Sequence, residues 1–502
     1  MPINPNGECE SNPQPAGKLY WLAAVLVLLS LLAPVAAVDR PPLVDYPNHL
    51  ARLHILQNLS HAPLFQQRYE AVLEPYPNLA MDLLLMTVLR GFDIHAAGAL
   101  AVALAVALFA AGCLLLGRSA QGRRHWPALL ACFMVYNSQF LYGFINYTFG
   151  IALYLLALAV WFWHRDRRTP GSYALLYALA TAAYLAHLIG FAALGLSLVC
   201  LAVMERLQRR VPLAALAGDM AALIPGLLLY ASLGSNRGAT ALTWASAAEK
   251  LKHSLSWLIS YHTAPTAAYG LLLLAAGILL AWKGRSTVNP LLAAVSGVLW
   301  AGVALLPDNV GMGTDLYARL VIPAVSVTLI SVRIESRRGP ALAAIALALG
   351  VFLARQAEIG FTWRAGQHLM REQLALLAEL PAGAKLYPIS WFTGDAAQAK
   401  REQHLSHLPH YATIGKQVYV PTLLAVRGQQ PIALRNPPWY RSVRPGTAAA
   451  AAPWQSILGN YGFVWTFGVT ADYDALLGAR CELIGARGKG RLYRVRSPQP
   501  GG

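Results

Sequence analysis

Long apolar runs recur between Leu19 and Arg355, broken only by short polar loops. About 20 apolar residues in a helix cross the hydrocarbon core of a bilayer. Runs this numerous exceed what one soluble core could bury. Composition agrees: only 13% of the residues are charged, against roughly 25% in soluble domains. The formal charge of +17 invites a nucleic-acid reading. The basic residues instead sit in clusters between the runs, such as Arg165/Arg167/Arg168 and Arg206/Arg209/Arg210. That is the positive-inside pattern of membrane proteins, and no nucleic-acid partner is expected.

Counting from those clusters gives an all-α polytopic domain over 1–355 with about eleven spans. The first covers 19–38 and a loop over 39–95 follows it on the outer side. Further spans fall near 96–116, 126–143, 145–164, 173–187, 188–204, 213–232, 268–283, 288–306, 316–334 and 339–355. The first run is too long for the apolar region of a signal peptide, so it reads as a retained span. Leu79 to Leu89 is too short to cross ~30 Å of hydrocarbon and contains Asp82. It reads as an interfacial or re-entrant helix; counting it as a span brings the total to about twelve or thirteen. The 32 nearly unbroken apolar positions of 173–204, with His187 and Gly190 near the middle, read as a tight hairpin. The N-terminus then lies in the cytoplasm and the C-terminal part outside. The Ala/Leu/Arg-rich composition fits a bacterial cytoplasmic (inner) membrane.

Residues 356–502 read as a small extracytoplasmic α/β domain. Helix is expected over 372–380 and 472–477, and strands over 385–390, 417–426, 461–469 and 492–495. Its excess of basic residues suits lipid phosphates and suits a solvated surface equally well. His404, His407 and His410 recur every three residues, which invites a metal reading. Pro409 interrupts the helix that would align them, and no Cys or acid nearby completes a set. The cysteines are scattered, and neither a P-loop nor a dinucleotide fingerprint is present.

The strongest chemical signal follows the first span, in Asp45-Tyr46-Pro47-Asn48-His49-Leu50-Ala51-Arg52. Pro47 can open a helix and Asn48 can cap one. Leu50, Leu53, Leu56 and Leu59 then form an apolar edge for a helix lying on the membrane. His49 and Arg52 share the opposite side. An acid, an imidazole and a guanidinium converge there, although a loop acid and a snorkelling arginine would look the same. Asp82, with Asn78 four residues earlier, is a further polar pair in an apolar setting. His187 at the hairpin turn reads as an interfacial histidine or as a ligand.

This order of a first span, an acidic outer loop with an amphipathic helix, and a Pro-led apolar helix resembles the GT-C superfamily of polytopic glycosyltransferases. Pro77-Asn78-Leu79 through Gly91-Phe92 is similar to the family's Pro-led helix. Ala186-His187 is similar to its hairpin turn, and Leu316-Tyr317-Ala318-Arg319 leading to Pro323 to its entry into a late span. The resemblance implies an inverting transfer from a polyprenyl-phosphate-linked sugar donor to a glycan, lipid or protein acceptor at the outer membrane face. It makes Asp45 the general base. Where the family has a second acid this chain has Tyr46; no cofactor is implied with certainty, and a divalent metal stays open. Arg52, His49 and Arg319 suit a leaving phosphate, with Asn78, Asp82 and His187 lining the same cavity. Two rivals stand beside this reading. A transporter or flippase would place charge near the midplane of several spans, where Asp219 is a rare exception. An inactive scaffold of the same fold would bind without turnover.

Overall fold

The computed structural model describes residues 15–122, 124–233, 242–258, 261–283, 286–310, 314–334, 339–392, 395–436 and 443–496. The elements that build the molecule are α1 (Pro15–Ala36), α2 (Tyr46–Asn58), α3 (Ala80–Met86), α4 (Ile94–Gln121), α5 (Ile145–His164), α6 (Pro170–Ala186), α7 (Leu188–Arg209), α8 (Leu316–Ser331), α9 (Gly339–Leu377) and α10 (His410–Lys416). Among the described residues, α1, α4, α5, α7 and α9 are long and apolar enough to cross a membrane. Leu213–Ala221 and Ile224–Ser232 form a sixth such element if their 43° bend is counted as one span. Shorter apolar helices occupy Ala264–Leu280, Pro290–Leu305 and α8.

Two of the expected spans are not continuous helices. The 213–232 run is the bent pair, opened again by Pro225 in the first turn of its second half. The 126–143 run divides into Trp126–Cys132, a 3-10 turn over Phe133–Val135, and Ser138–Tyr142. Asn137 explains that division. Its side chain accepts from Gln139 N and Phe140 N and donates to Met134 O and Val135 O, closing one element and starting the next. The hairpin expected near His187 forms. His187 alone separates α6 from α7, with φ −166° and ψ 134°. A Cβ on Gly190 would strike the backbone of Gly150, so glycine lets the start of α7 press against α5. Helix α9 does not break at residue 355. Past Arg355 it carries Gly360 and Gly366 yet lacks proline, and it runs on to Leu377.

Beyond α9 lies a four-stranded sheet. With β1 (Tyr69–Ala71), β2 (Leu386–Ser390), β3 (Ile432–Leu434), β4 (Phe463–Phe467), β5 (Cys481–Arg487) and β6 (Gly490–Val495), its order is β2-β4-β6-β5. β2 pairs parallel to β4, and the remaining pairs are antiparallel. The strand expected over 417–426 does not form; Tyr419 makes only an isolated bridge to Lys385. Gln417 has φ 54° and Pro421 has no N–H to donate to a ladder. β1, from the 39–95 loop, pairs antiparallel with β3, from the C-terminal part.

Helix α2 sits between two apolar cores. Tyr46, Leu50 and Leu53 join the large core of the membrane helices. Ala51 and Ile55 join a second core with Tyr387, Ile389, Val464 and Tyr493 of the sheet. The helix therefore has no open polar face on a membrane surface: every residue from Tyr46 to Leu53 is buried.

Candidate active site

The site is built on a turn and a helix start. Ser138–Tyr142 ends at Gly143, whose φ of +98° is open to glycine and strained for other residues. Tyr142 O then accepts from Asp45 N at 2.9 Å. A Cβ on Gly143 would lie 2.6 Å from that same nitrogen. Asp45 occupies the cap position of α2, with Pro47 in the first turn, but its side chain makes no capping bond. Asn48 lies inside the helix instead of capping it. The Asp45 carboxylate turns to Asn48 Nδ2 at 3.4 Å and to His407 Nε2 at 3.4 Å. Burial raises its proton affinity above the ordinary carboxylate range, while His407, Asn48, Arg52 and Arg319 pull the other way. The side chain keeps 16% exposure.

His49 and Arg52 do share a face, with Arg52 Nη2 2.9 Å from His49 Nδ1. The guanidinium is taken up by a second side chain of the protein. Arg52 donates from Nε to Asp82 Oδ1 at 2.9 Å and from Nη2 to Asp82 Oδ2 at 2.7 Å. The two side chains are 1% and 3% exposed. Burial and the adjacent guanidinium push His49 down to about 3, so it stays neutral. Asn78 belongs to a different knot. Asn146 Nδ2 donates to Asn78 O at 2.6 Å and Asn78 Oδ1 at 3.0 Å, while its Oδ1 accepts from Met81 N at 2.7 Å. Those bonds fix the start of α3. Asn78 and Asp82 thus hold different partners.

His187 and Arg319 come together, with Nε2 and Nη1 3.3 Å apart. The Arg319 guanidinium also lies 4.7 Å from the centroid of the Phe144 ring. Its backbone carbonyl accepts from Tyr147 Oη at 2.7 Å. Arg319 is half-buried, and its Nε has no hydrogen-bond partner. Asp45 is the group whose charge environment includes both Arg52 and Arg319.

The histidine series does not act as a unit. His404 Nδ1 meets Arg401 O at 2.8 Å, His410 Nε2 lies 3.4 Å from Thr422 Oγ1, and only His407 reaches the acid. Among the described residues, no group of three or more His, Cys, Asp and Glu side chains could hold a metal ion. Sequence reasoning missed Asn146, which lay in plain view as a buried polar residue in an apolar run. It also missed the pairing of His407 with Asp45, for which spacing carries no signal.

The bundle with its C-terminal sheet shares its fold with the solved structures that follow, and its apolar helices make the chain a multi-pass membrane protein. The crystal structure of ArnT from Cupriavidus metallidurans bound to undecaprenyl phosphate matches over 97% of this chain and 100% of its own, with TM-score 0.55 and 12% identity. The same protein in the apo state gives 0.54 over the same shares, again at 12% identity. The cryo-EM structure of arabinofuranosyltransferase AftD from Mycobacteria matches over 96% of this chain and 40% of its own, with TM-score 0.50 and 14% identity. No family model and no curated protein matches the chain.

Proposed function

We propose that the chain is a membrane glycosyltransferase that moves a sugar from a polyprenyl-phosphate carrier to an acceptor hydroxyl at the outer face of a bacterial cytoplasmic membrane, with inversion. The observation that carries this reading is Asp45. It is a carboxylate at a helix start whose proton affinity is raised by burial, with the half-buried Arg319 in its field. A sugar on a lipid phosphate already has a good leaving group. The protein must take a proton from the acceptor and balance the charge of the departing phosphate. Asp45 would take the proton. Arg319, whose guanidinium can grip phosphate oxygens in pairs, would face the phosphate beside a neutral His187. Arg52, His49 and Asp82 would support Asp45 from behind as a closed buried cluster, with Asn78 fixing α3. The full-length structural match to a protein bound to undecaprenyl phosphate supports the donor class.

The test uses purified protein in liposomes with radiolabelled polyprenyl-phosphate sugars. Asp45→Asn is expected to lower transfer by at least ~100-fold without moving the melting temperature. Wild-type rates in that variant would remove Asp45 as the base.

A further inference from the structure

Two stretches far apart in sequence meet at one carboxylate. Asp45 belongs to the 39–95 loop, and His407 to the 3-10 turn Gln403–His407 that precedes α10. α10 itself packs against α2, so the contact is held by helix packing. The His407 ring lies 5.6 Å from the His410 ring, at 18° to it. His410 is fully buried. His407 Nδ1 is buried with no hydrogen-bond partner. Its Nε2 therefore makes the ring's polar contact, and stacking fixes the ring plane.

We propose that His407 is the positioning residue of Asp45: its Nε2, 3.4 Å from Oδ1 in this structure, closes on that oxygen as an N–H donor when substrate binds and leaves Oδ2 to receive the proton of the acceptor hydroxyl. The inference rests on the transferase reading above. A lone pair aimed at a carboxylate would repel it, so the proton sits on Nε2 and the lone pair on Nδ1. Burial holds the imidazole below its ordinary range, which keeps it a neutral donor. In the reaction the acceptor oxygen bonds the anomeric carbon as the bond to the phosphate oxygen breaks. The lipid phosphate leaves with that electron pair, and the acceptor proton passes to Asp45 and then to water. His407 neither gains nor loses a proton. On this account the C-terminal part of the chain completes the site.

The groups that face Asp45 are His407, Asn48, Arg52 and Arg319, and Tyr142 lies in its field. His407 faces Asp45 and His410. Losing the His407 donor should therefore raise the Asp45 midpoint, because Asp45 loses a group that favours its charged form. Two variants separate donor from packing. His407→Phe keeps a ring on His410 without the N–H, and His407→Gln keeps a donor without the ring. The Asp45 midpoint is followed by infrared titration, using the carboxyl band that Asp45→Asn abolishes, and transfer is measured across pH.

His407→Phe is expected to raise the midpoint by about half a unit or more. It should move the acid limb of kcat upward with it, and lower kcat about tenfold or more with the donor KM little changed. His407→Gln should hold both near wild type. A wild-type midpoint and acid limb in His407→Phe would overturn the proposal, as would a His407→Gln variant that is equally impaired. If His407→Phe does not fold, His407→Leu, which also lacks the N–H, is read by the same two measurements against His407→Gln. If the midpoint moves while the wild-type protein transfers no sugar, the contact stands and the transferase reading falls.

Discussion

Asp82 takes two hydrogen bonds from Arg52, and neither side chain meets water. Each charge is tolerable only because the other is present. Removing one partner from such a pair typically costs about 3–5 kcal/mol, whereas replacing both with apolar residues of similar size is often neutral. Arg52→Ala is accordingly expected to lower the melting temperature of the detergent-solubilised protein sharply. The double variant Arg52→Met/Asp82→Leu should recover most of that loss. A double variant no better than the single one would show that the guanidinium has a role beyond this pair. The helical spacing of His49 and Arg52 was readable from the chain, and the two side chains do touch. The taker of the guanidinium was not readable. Asp82 lies thirty residues further on, and only the packing of α3 against α2 decides it.

At the scale of elements, the turn ending at Gly143 sets where Asp45 sits. Gly143→Ala adds a Cβ against the Asp45 backbone nitrogen, at a φ that costs a non-glycine residue about 1–2 kcal/mol. The variant should lose transfer activity out of proportion to its modest loss in melting temperature, because the carboxylate is displaced. Parallel losses in the two measurements would mean that the turn serves stability alone. The hairpin at His187 was legible because its apolar run is too long for one crossing and holds a glycine at its middle. The divided 126–143 run was less so: its hydrophobicity speaks for a span, while Asn137 speaks for a cap, and the cap wins locally. The absent strand over 417–426 shows the opposite failure. β-branched composition there is overruled by Pro421 and by the left-handed Gln417. The edge strand β5 carries Glu482, Gly485 and Arg487, residues that hide a strand from a reading based on composition.

For the whole molecule, the junction of α2, α9 and the C-terminal part is lined by neutral histidines. Burial brings His49 to about 3 and His404 to about 4, against 6.5 in an unfolded chain, and lowers His410 as well. Between those folded values and 6.5 the unfolded chain binds more protons, so stability is lost as pH falls through that window and is complete above it. The melting temperature should drop between about pH 6.5 and pH 4. The drop should be smaller in a His404→Gln/His410→Gln variant. A curve flat with pH would contradict the burial of these rings in neutral form. The ladder between β1 and β3 also has a consequence for timing. At about 5–20 residues per second, Tyr69 leaves the ribosome roughly 20–70 s before its partner Leu434 exists. Through that interval the loop bearing Asp45 has no strand to hold it and no His407 to meet. The apolar helices α4, α5, α7 and α9 are all made within that interval.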